Sequence, residues 1–460
     1  MRPLAILIGL FGPAATVLFS PPGGLSPDAW STAGIAFLMA VWWIAGALPL
    51  AVTALAPLVL APAFGLGPFD TLAAAYVHPL LFLFLGGFLI GRAIERWGLH
   101  RRIALWILGI AGDAPARLIG GVMLATGFLS LWISNTAAAI VMLPIAASLT
   151  LGRSEGDRFA TALMLGVAYA ATIGGMGSLI GTSPNVLFAA YVGQTYGRDI
   201  GFAQWAAVGL PVAGLLLVTA WLVLVRLTPG VRHAGAIAAA RVERPGAWTR
   251  AERRVAVVAG LTAVAWIARP FAERVLPGLA INDAMIAMAG GAALFLLPSG
   301  ANGRLLDFSA LKGLRWDVLV LFGGGLALAG MIDQSGLAGW IGEHVVLAKE
   351  MPVWLLVLAI AAAIVYVGEL ASNTAMAAVF LPVAGAAAAS VGIEPIGFLW
   401  PIALAASVGF MLPVATPPNA IVMDNPAVTR VAMLRAGALL DVIGIAVSVA
   451  AGLLLVPLML

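Results

Sequence analysis

Two short polar motifs lie within long apolar stretches of this 460-residue chain. They are Ser134-Asn135-Thr136 and Ser372-Asn373-Thr374, one in each half of the sequence. Three consecutive hydrogen-bonding side chains are costly in hydrocarbon unless they face protein, water or a ligand. Ser and Asn favour helix N-termini, whose free N–H groups and positive dipole ends attract anions. The motifs therefore predict two half-helix tips that hold a molecule with two negative groups. Simple hydrogen bonding between neighbouring helices is the alternative.

A second pair of motifs follows the first. Gly181-Thr182-Ser183-Pro184-Asn185 corresponds to Ala415-Thr416-Pro417-Pro418-Asn419, and the step along the chain between them is nearly the step from Ser134 to Ser372. Proline interrupts the helical hydrogen-bond pattern and frees carbonyl groups, while the hydroxyl and amide side chains add further oxygen atoms. Because oxygen ligands suit a hard monovalent cation, these loops predict sodium ligands beside the anion.

The elements that position these motifs form an internal repeat. Upstream of each Ser-Asn-Thr motif, Phe84, Gly86 and Gly87 match Phe322, Gly324 and Gly325 by the same step that carries Ser134 onto Ser372. Residues 92–112 carry four Arg against one Glu, whereas the equivalent residues 330–350 carry three acids against one Lys. Opposite charge bias at equivalent positions predicts opposite sides of a membrane. Inverted repeats of this kind are typical of secondary transporters.

The composition places the chain in a membrane. Apolar residues make up 62% of it, charged residues only 10%, and the mean hydropathy is +1.06. These values indicate a polytopic protein with little room for a water-soluble domain. The absence of cysteine and the presence of only four histidines leave little to bind a transition metal. We expect no cofactor other than coupling ions, and no nucleic-acid partner, because loop arginines that set topology explain the net charge of +4.

The predicted fold is an all-α polytopic membrane protein with two inverted repeats, re-entrant hairpins and broken helices. Residues 1–227 form the first half, with a hairpin at about 71–99, and residues 255–460 form the second, with a hairpin at about 311–337. Between them lies a basic linker, 228–254, that the positive-inside rule places in the cytoplasm. The apolar run that starts at Leu4 is interpreted as a retained first span, with a cleavable signal peptide as the alternative.

Ionisable groups are scarce around the motifs. Residues 118–152, 159–197, 370–393 and 395–423 contain no Asp, Glu, Lys, Arg or His. Helix tips and bound cations must therefore balance the charge of an anion. The nearby exception, Glu369, is a functional candidate, with a boundary or packing role as the alternative. The catalytic motifs of membrane-embedded proteases are missing, which argues against an enzyme, and a channel explains paired helix tips less well than a binding site does.

The doubled Ser-Asn-Thr motif, Phe84-Leu85-Gly86-Gly87-Phe88 and the run from Met411 to Asn419 resemble the divalent anion:sodium symporters of the ion transporter superfamily. The resemblance spans nearly the whole chain. It implies a homodimer in the inner (plasma) membrane, with about eleven membrane helices per protomer. It also implies a transport domain that moves like an elevator against a scaffold domain.

The same resemblance implies the ligands. A C4 dicarboxylate such as succinate, fumarate or malate would contact Ser134, Asn135, Thr136, Thr182, Ser372, Asn373, Thr374, Thr416 and Pro417. One sodium ion would lie among Ser130, Ser134, Asn135 and Gly181, and a second among Gly368, Ala371, Asn373 and Ala415. The chain departs from the family at Gly368, where a hydroxyl residue is usual. This departure leaves open a sodium-independent dicarboxylate exchanger, and a carrier of sulfate or tricarboxylates is a further alternative.

Replacement of Asn135 or Asn373 by Ala is expected to abolish uptake of the transported anion, because each removes the central polar side chain of one tip. The protein should remain folded and inserted, which size-exclusion chromatography in detergent would check. Transport at the wild-type rate by both variants would contradict the assignment of these motifs.

Overall fold

The computed structural model describes residues 2–150, 157–227, 245–276, 278, 281–300, 303–344, 351–390 and 392–458. Within these ranges the regular elements are helices, and the one β-bridge joins Pro298 and Arg304. The predicted all-α class is therefore confirmed for the described chain. Most of the predicted basic linker, residues 228–244, lies outside the described residues.

The first half contains twelve described α-helices, many of them begun by proline or by a capping Ser or Asp. In chain order they are α1 (Arg2–Leu18), α2 (Pro27–Ala45), α3 (Leu50–Thr53), α4 (Ala56–Ala63), α5 (Phe69–Ala74), α6 (Pro79–Arg96), α7 (Leu99–Ala111), α8 (Pro115–Ser130), α9 (Asn135–Leu149), α10 (Arg158–Met176), α11 (Ser183–Tyr196) and α12 (Phe202–Leu227).

The second half follows with ten described α-helices. They are α13 (Arg250–Val275), α14 (Asp283–Leu296), α15 (Ser309–Lys312), α16 (Trp316–Gln334), α17 (Leu337–His344), α18 (Val353–Gly368), α19 (Asn373–Ser390), α20 (Pro395–Ala405), α21 (Pro417–Met423) and α22 (Arg430–Leu454).

The helices that carry the motifs begin at equivalent positions in the two halves. The step along the chain from Ser134 to Ser372 also carries both ends of α8 onto both ends of α18, and the start of α9 onto the start of α19. The slightly shorter step from Gly181 to Ala415 carries the start of α11 onto the start of α21. The sequence repeat is therefore also a repeat of helix starts, and the opposite membrane orientation of its halves remains a prediction.

Each Ser-Asn-Thr motif lies at the turn of a helix–turn–helix unit. Helices α8 and α9 contact each other, as do α18 and α19. The hairpins were expected at about 71–99 and 311–337. The single long helices α6 and α16 occupy most of those two ranges instead. The unbroken apolar runs of α6 and α16 satisfy their backbone hydrogen bonds without a turn, whereas the polar motifs interrupt the next helix.

The repeats interlock around the motifs. Helix α11 of the first half packs against α19 of the second, and α21 of the second half packs against α9 of the first. Helix α10 is buried along its whole length from Phe159 to Met176. A helix that is apolar all round and covered on every side forms the centre of a bundle, and α9 and α21 both pack against it.

Seven of the described helical segments are long and apolar enough to cross a membrane. Several shorter apolar helices, including α8, α9, α18 and α19, accompany them. The protein is therefore a multi-pass membrane protein, and the count of about eleven membrane helices stays a prediction.

The glycine pair Gly86 and Gly324, singled out from the repeat, makes two close helix contacts. A Cβ atom on Gly86 would lie 2.4 Å from the backbone carbon of Ala287 in α14. A Cβ atom on Gly324 would lie 2.3 Å from the carbonyl oxygen of Ala54. Membrane helices approach this closely only where the side chain is absent, which explains the glycine-rich middle of α6 and α16.

Candidate functional site

The first Ser-Asn-Thr motif begins a helix, as predicted. The hydroxyl oxygen of Ser134 accepts a hydrogen bond from the backbone N–H of Ala137 at 3.3 Å, which is an N-cap. Helix α9 then runs from Asn135, and α19 runs from Asn373 at the equivalent position. In each repeat the preceding helix ends only a few residues earlier, at Ser130 or Gly368. Free carbonyl groups and free N–H groups therefore lie close together.

The second motifs are held in the same way in both repeats. The side-chain amide of Asn185 donates to the carbonyl oxygens of Gly175 and Ser178, at 3.1 and 2.7 Å. The amide of Asn419 donates to the carbonyl oxygens of Gly409 and Leu412, at 3.2 and 3.0 Å. The donor Asn and its two acceptor residues in the first repeat correspond to those in the second at one constant displacement along the chain. Each Asn thus satisfies backbone carbonyls that the broken helix leaves without intrahelical partners.

These elements converge on one cavity of about 650 Å³. Residues at the N-termini of four helices, two from each repeat, line it: those of α9, α11, α19 and α21. Their dipoles and N–H groups place partial positive charge at the cavity wall. All nine residues predicted to contact the substrate line this cavity: Ser134, Asn135, Thr136, Thr182, Ser372, Asn373, Thr374, Thr416 and Pro417.

The residues expected to bind sodium divide into two groups. Gly181, Ala371 and Ala415 also line the cavity. Ser130 and Gly368 do not appear in its wall, and both are buried at the ends of α8 and α18. The structure therefore places them behind the tips, next to the cavity wall and not in it.

The first tip is tightly packed on its buried side. The hydroxyl oxygen of Ser130 lies 2.8 Å from Oδ1 of Asn135 and 2.6 Å from the carbonyl oxygen of Ala171 in α10. A Cβ atom on Gly175 would lie only 2.3 Å from Asn135 Oδ1. Three oxygen atoms thus gather where α10 passes the tip, and Gly175 leaves just enough space for the Asn135 side chain.

Glu369 has a definite structural partner. Its two carboxylate oxygens accept hydrogen bonds from the backbone N–H groups of Met411 and Leu412, at 2.9 and 2.6 Å. Asp441 in α22 accepts a third from Phe410 at 3.0 Å. Both acids are buried. They hold three successive N–H groups of the non-helical segment between α20 and α21, so Glu369 fixes the loop that leads to Ala415 and Thr416.

The first repeat ties the same two positions together without an acid. The repeat mate of Glu369 is Leu131, and the mate of Leu412 is Ser178. The hydroxyl of Ser178 donates to the carbonyl oxygen of Leu131 at 2.7 Å. The loop therefore donates to the tip in both repeats. In the first repeat a side-chain hydroxyl donates to a backbone carbonyl, and in the second the backbone N–H groups donate to a side-chain carboxylate.

Several residues of the site were not predicted as site residues. The sequence offered the amide oxygens of Asn185 and Asn419 as general cation ligands, and it did not predict that their N–H groups hold the loop carbonyls. The acid Asp441 had no sequence pattern that linked it to the motifs, because the packing of α22 against α18 and α20 brings it there. The charged cavity residues Arg315 and Asp317 were also missed.

The comparison with protein families decides the identity of the fold. The family described as "Sodium:sulfate symporter transmembrane region" matches residues 3–460. The chain belongs to this family. The resemblance found in the sequence motifs is thereby confirmed.

Two relatives within the family are proteins named sodium-dependent dicarboxylate transporter SdcS. The one from Staphylococcus saprophyticus is 36% identical, over 98% of this chain and 91% of its own length. The one from Staphylococcus aureus strain RF122 is 35% identical, over 94% of this chain and 87% of its own length. The family and these relatives are transporters and not enzymes.

Solved structures show a similar fold at low sequence identity. The YdaH transporter of Alcanivorax borkumensis superposes with a TM-score of 0.60 at 18% identity, over 84% of this chain and 87% of that one. MtrF of Neisseria gonorrhoeae superposes with a TM-score of 0.58 at 14% identity, over 98% of this chain and 94% of that one. Both likenesses concern the fold alone.

In this family member, Gly175→Ala is expected to abolish anion uptake, because the added methyl group would overlap the Asn135 side chain. Its repeat mate provides the control. A Cβ atom on Gly409 would have its nearest neighbour at 3.4 Å, so Gly409→Ala should retain most of the activity. Uptake into proteoliposomes and the melting temperature in detergent would measure both variants. Equal activity of the two would contradict the tight packing of Asn135 against α10.

Proposed function

We propose that this protein is a secondary active transporter of C4 dicarboxylates such as succinate, fumarate and malate, coupled to the sodium gradient. The observation that carries the proposal is the convergence of four helix N-termini, from two repeats, on one cavity. The names of the relatives that match nearly the full length of the chain support both the substrate class and sodium dependence. We expect no further cofactor.

The dicarboxylate would lie between the two tips, with one carboxylate at each Ser-Asn-Thr motif. Thr182, Thr416 and Pro417 would complete the walls of the site. None of these residues carries a charge, so helix dipoles and the hydroxyl and amide donors would bind the anion. The partial positive charges of the two tips are smaller than the two negative charges of the dicarboxylate. A bound cation beside each tip would supply the remaining positive charge.

The sodium ions would lie where one half-helix ends and the next begins, because the free carbonyl groups are there. The first ion would lie among Ser130, Ser134, Asn135 and Gly181. The second would lie among Gly368, Ala371, Asn373 and Ala415. The buried Oδ1 atom of Asn373 has no hydrogen-bond partner in the described chain, and a buried oxygen without a donor suits a cation ligand.

The proposed location is the inner (plasma) membrane, with the basic linker in the cytoplasm. Arg102, near the start of α7, donates to the carbonyl oxygens of Gly246 and Ala247 and forms an ion pair with Glu252 at 2.9 Å. The end of the linker therefore lies on the same side as the arginine-rich junction of α6 and α7. Both would face the cytoplasm by the positive-inside rule.

Movement of the interlocked tips as one body would carry the site across the membrane. The contacts of α11 with α19 and of α21 with α9 join both tips into a single unit, which suits an elevator that moves against a scaffold. We propose that the scaffold forms a homodimer.

Two other functions are candidates for the same site. Sodium-independent exchange is favoured by Gly368, because glycine offers no hydroxyl, and transport of sulfate is favoured by the description of the family.

Uptake of labelled succinate into proteoliposomes tests the proposal. Sodium-dependent accumulation in empty vesicles with an inward sodium gradient is the expected result, because symport needs no internal anion. Uptake only into succinate-loaded vesicles, without an effect of sodium, would establish an exchanger. Uptake of sulfate or citrate in place of succinate would reject the substrate class.

The second sodium site has a matched pair of variants. Gly368 has only Met376 Cγ near its missing Cβ, at 3.6 Å, so Gly368→Ser is accommodated and supplies the hydroxyl that its repeat mate Ser130 already has. This variant is expected to lower the sodium concentration for half-maximal succinate uptake severalfold. Ser130→Gly should raise it, since it removes a ligand from the first site. Unchanged sodium dependence in both variants, at unchanged melting temperature, would contradict the assignment of the sodium ligands.

A further inference from the structure

Two charged side chains line the central cavity in the described chain, and neither belongs to a Ser-Asn-Thr motif. They are Arg315, which precedes α16, and Asp317 in the first turn of that helix. The guanidinium donates to the carboxylate with both Nε and Nη2, each at 3.0 Å. Their side chains are 49% and 58% exposed. An exposed ion pair of this kind adds little to stability, so its position in the cavity wall calls for another explanation.

Arg315 belongs to two cavities at once. It lines a second cavity of about 220 Å³, whose wall also includes Ser134 and Thr136 of the first tip, together with Arg92. The second cavity adjoins a third, of about 370 Å³, through Arg92 and Glu95, which line both. The three cavities thus form a series that runs from the tips, past Arg315, to the exposed arginines at the end of α6.

The arginines along this series are each paired with an acid. Arg92 bonds to Glu95 at 2.7 Å, and Arg96 bonds to Asp307 at 2.6 Å. The hydrogen bond from the Arg96 guanidinium holds the pKa of Asp307 well below its usual range, so that pair stays ionised. The second and third cavities form the outer path of this series. It is therefore lined by guanidinium groups whose partners are carboxylates, the same functional group that a dicarboxylate carries.

Arg315 differs from the other two because its forked contact with Asp317 uses two parallel N–H donors. This is the geometry in which a guanidinium binds any carboxylate, including that of a ligand. A substrate carboxylate can therefore replace Asp317 on Arg315 without a new arrangement of donors. The exchange would occur next to Ser134 and Thr136, within the wall shared by the first and second cavities.

We propose that Arg315 forms an anion-capture subsite between the outer path and the Ser-Asn-Thr site, with Asp317 as its resident carboxylate. The subsite takes carboxylate dianions, and so it rests on the proposed function. Because Asp317 neutralises Arg315, capture would act at short range: the dianion would bind the guanidinium by the same two charged hydrogen bonds that Asp317 releases. Asp317 would weaken capture by competition, which lets the anion pass on to the uncharged tips.

The test compares Arg315→Gln, Arg315→Lys and Asp317→Asn with the wild-type protein. Labelled succinate binding to purified protein in detergent, and initial uptake rates in proteoliposomes, are measured at fixed sodium and at low and high ionic strength adjusted with choline chloride. Arg274→Gln is the control. It removes one positive charge at the end of α13, where Arg274 lies near Phe271 and outside the three cavities.

Loss of the guanidinium is expected to raise the KM and Kd for succinate roughly tenfold, the size of one charged hydrogen-bonded contact. The maximal rate should be unchanged, and the ionic-strength dependence of binding should weaken, because one charged contact to the anion is lost while the arginines of α6 remain. Arg315→Lys should retain that dependence but not the full affinity, because it keeps the charge without the fork. Asp317→Asn should lower KM severalfold, and Arg274→Gln should behave as the wild type.

Wild-type KM and salt dependence in Arg315→Gln would overturn the capture subsite and leave the proposed function intact. So would a reduced maximal rate at unchanged KM, which would indicate a role in the conformational step. If Arg315→Gln does not fold, the opposite KM shifts of Arg315→Lys and Asp317→Asn decide the question. A wild-type protein that neither binds nor transports succinate would overturn the proposed function, and the same variants would then be compared with labelled sulfate, for which capture predicts the same shifts.

Discussion

The structure depends on interruptions of helices inside a membrane. A backbone group without a hydrogen bond in hydrocarbon costs several kcal/mol, yet four helices of this membrane protein begin at the wall of the central cavity. Such starts are tolerated only where protein or ligand satisfies the exposed groups. The interlocked packing of α9 with α21 and of α19 with α11 provides that enclosure and brings the positive ends of the four helices to one place.

The loops between the half-helices are satisfied by a few dedicated side chains. Asn185 and Asn419 have the same role in the two repeats: the side-chain amide of each donates hydrogen bonds to two carbonyl groups of its loop. The link between tip and loop differs: a Ser178 hydroxyl in the first repeat, and the buried carboxylate of Glu369 in the second. The two repeats therefore keep the same connection between tip and loop, although different hydrogen bonds make it. This connection also gives Glu369 the structural role that was an alternative from the sequence.

Charge is distributed unevenly between the site and its approach. The tips have no formal charge, so an anion bound there, as proposed, would meet dipoles, hydroxyls and amides, from which it could also leave. Full charges appear at Arg315 and at the arginines of α6, each beside an acid. The proposed capture at Arg315 and the proposed cation-assisted binding at the tips would suit a carrier that must release its substrate.

The sequence by itself determined the class of the protein, the repeat and the polar motifs. Hydropathy and the spacing of Ser-Asn-Thr, Thr182 and Thr416 were enough, because long apolar runs require helices and a repeated polar interruption requires a break at the same place in each half. Packing decided the rest. The hairpin turns lie at the motifs and not at about 71–99 and 311–337, since the glycine-rich runs there pack as long helices. Asp441 and Arg315 reach the site only through contacts between helices that are far apart in the chain, and no local pattern encodes such contacts.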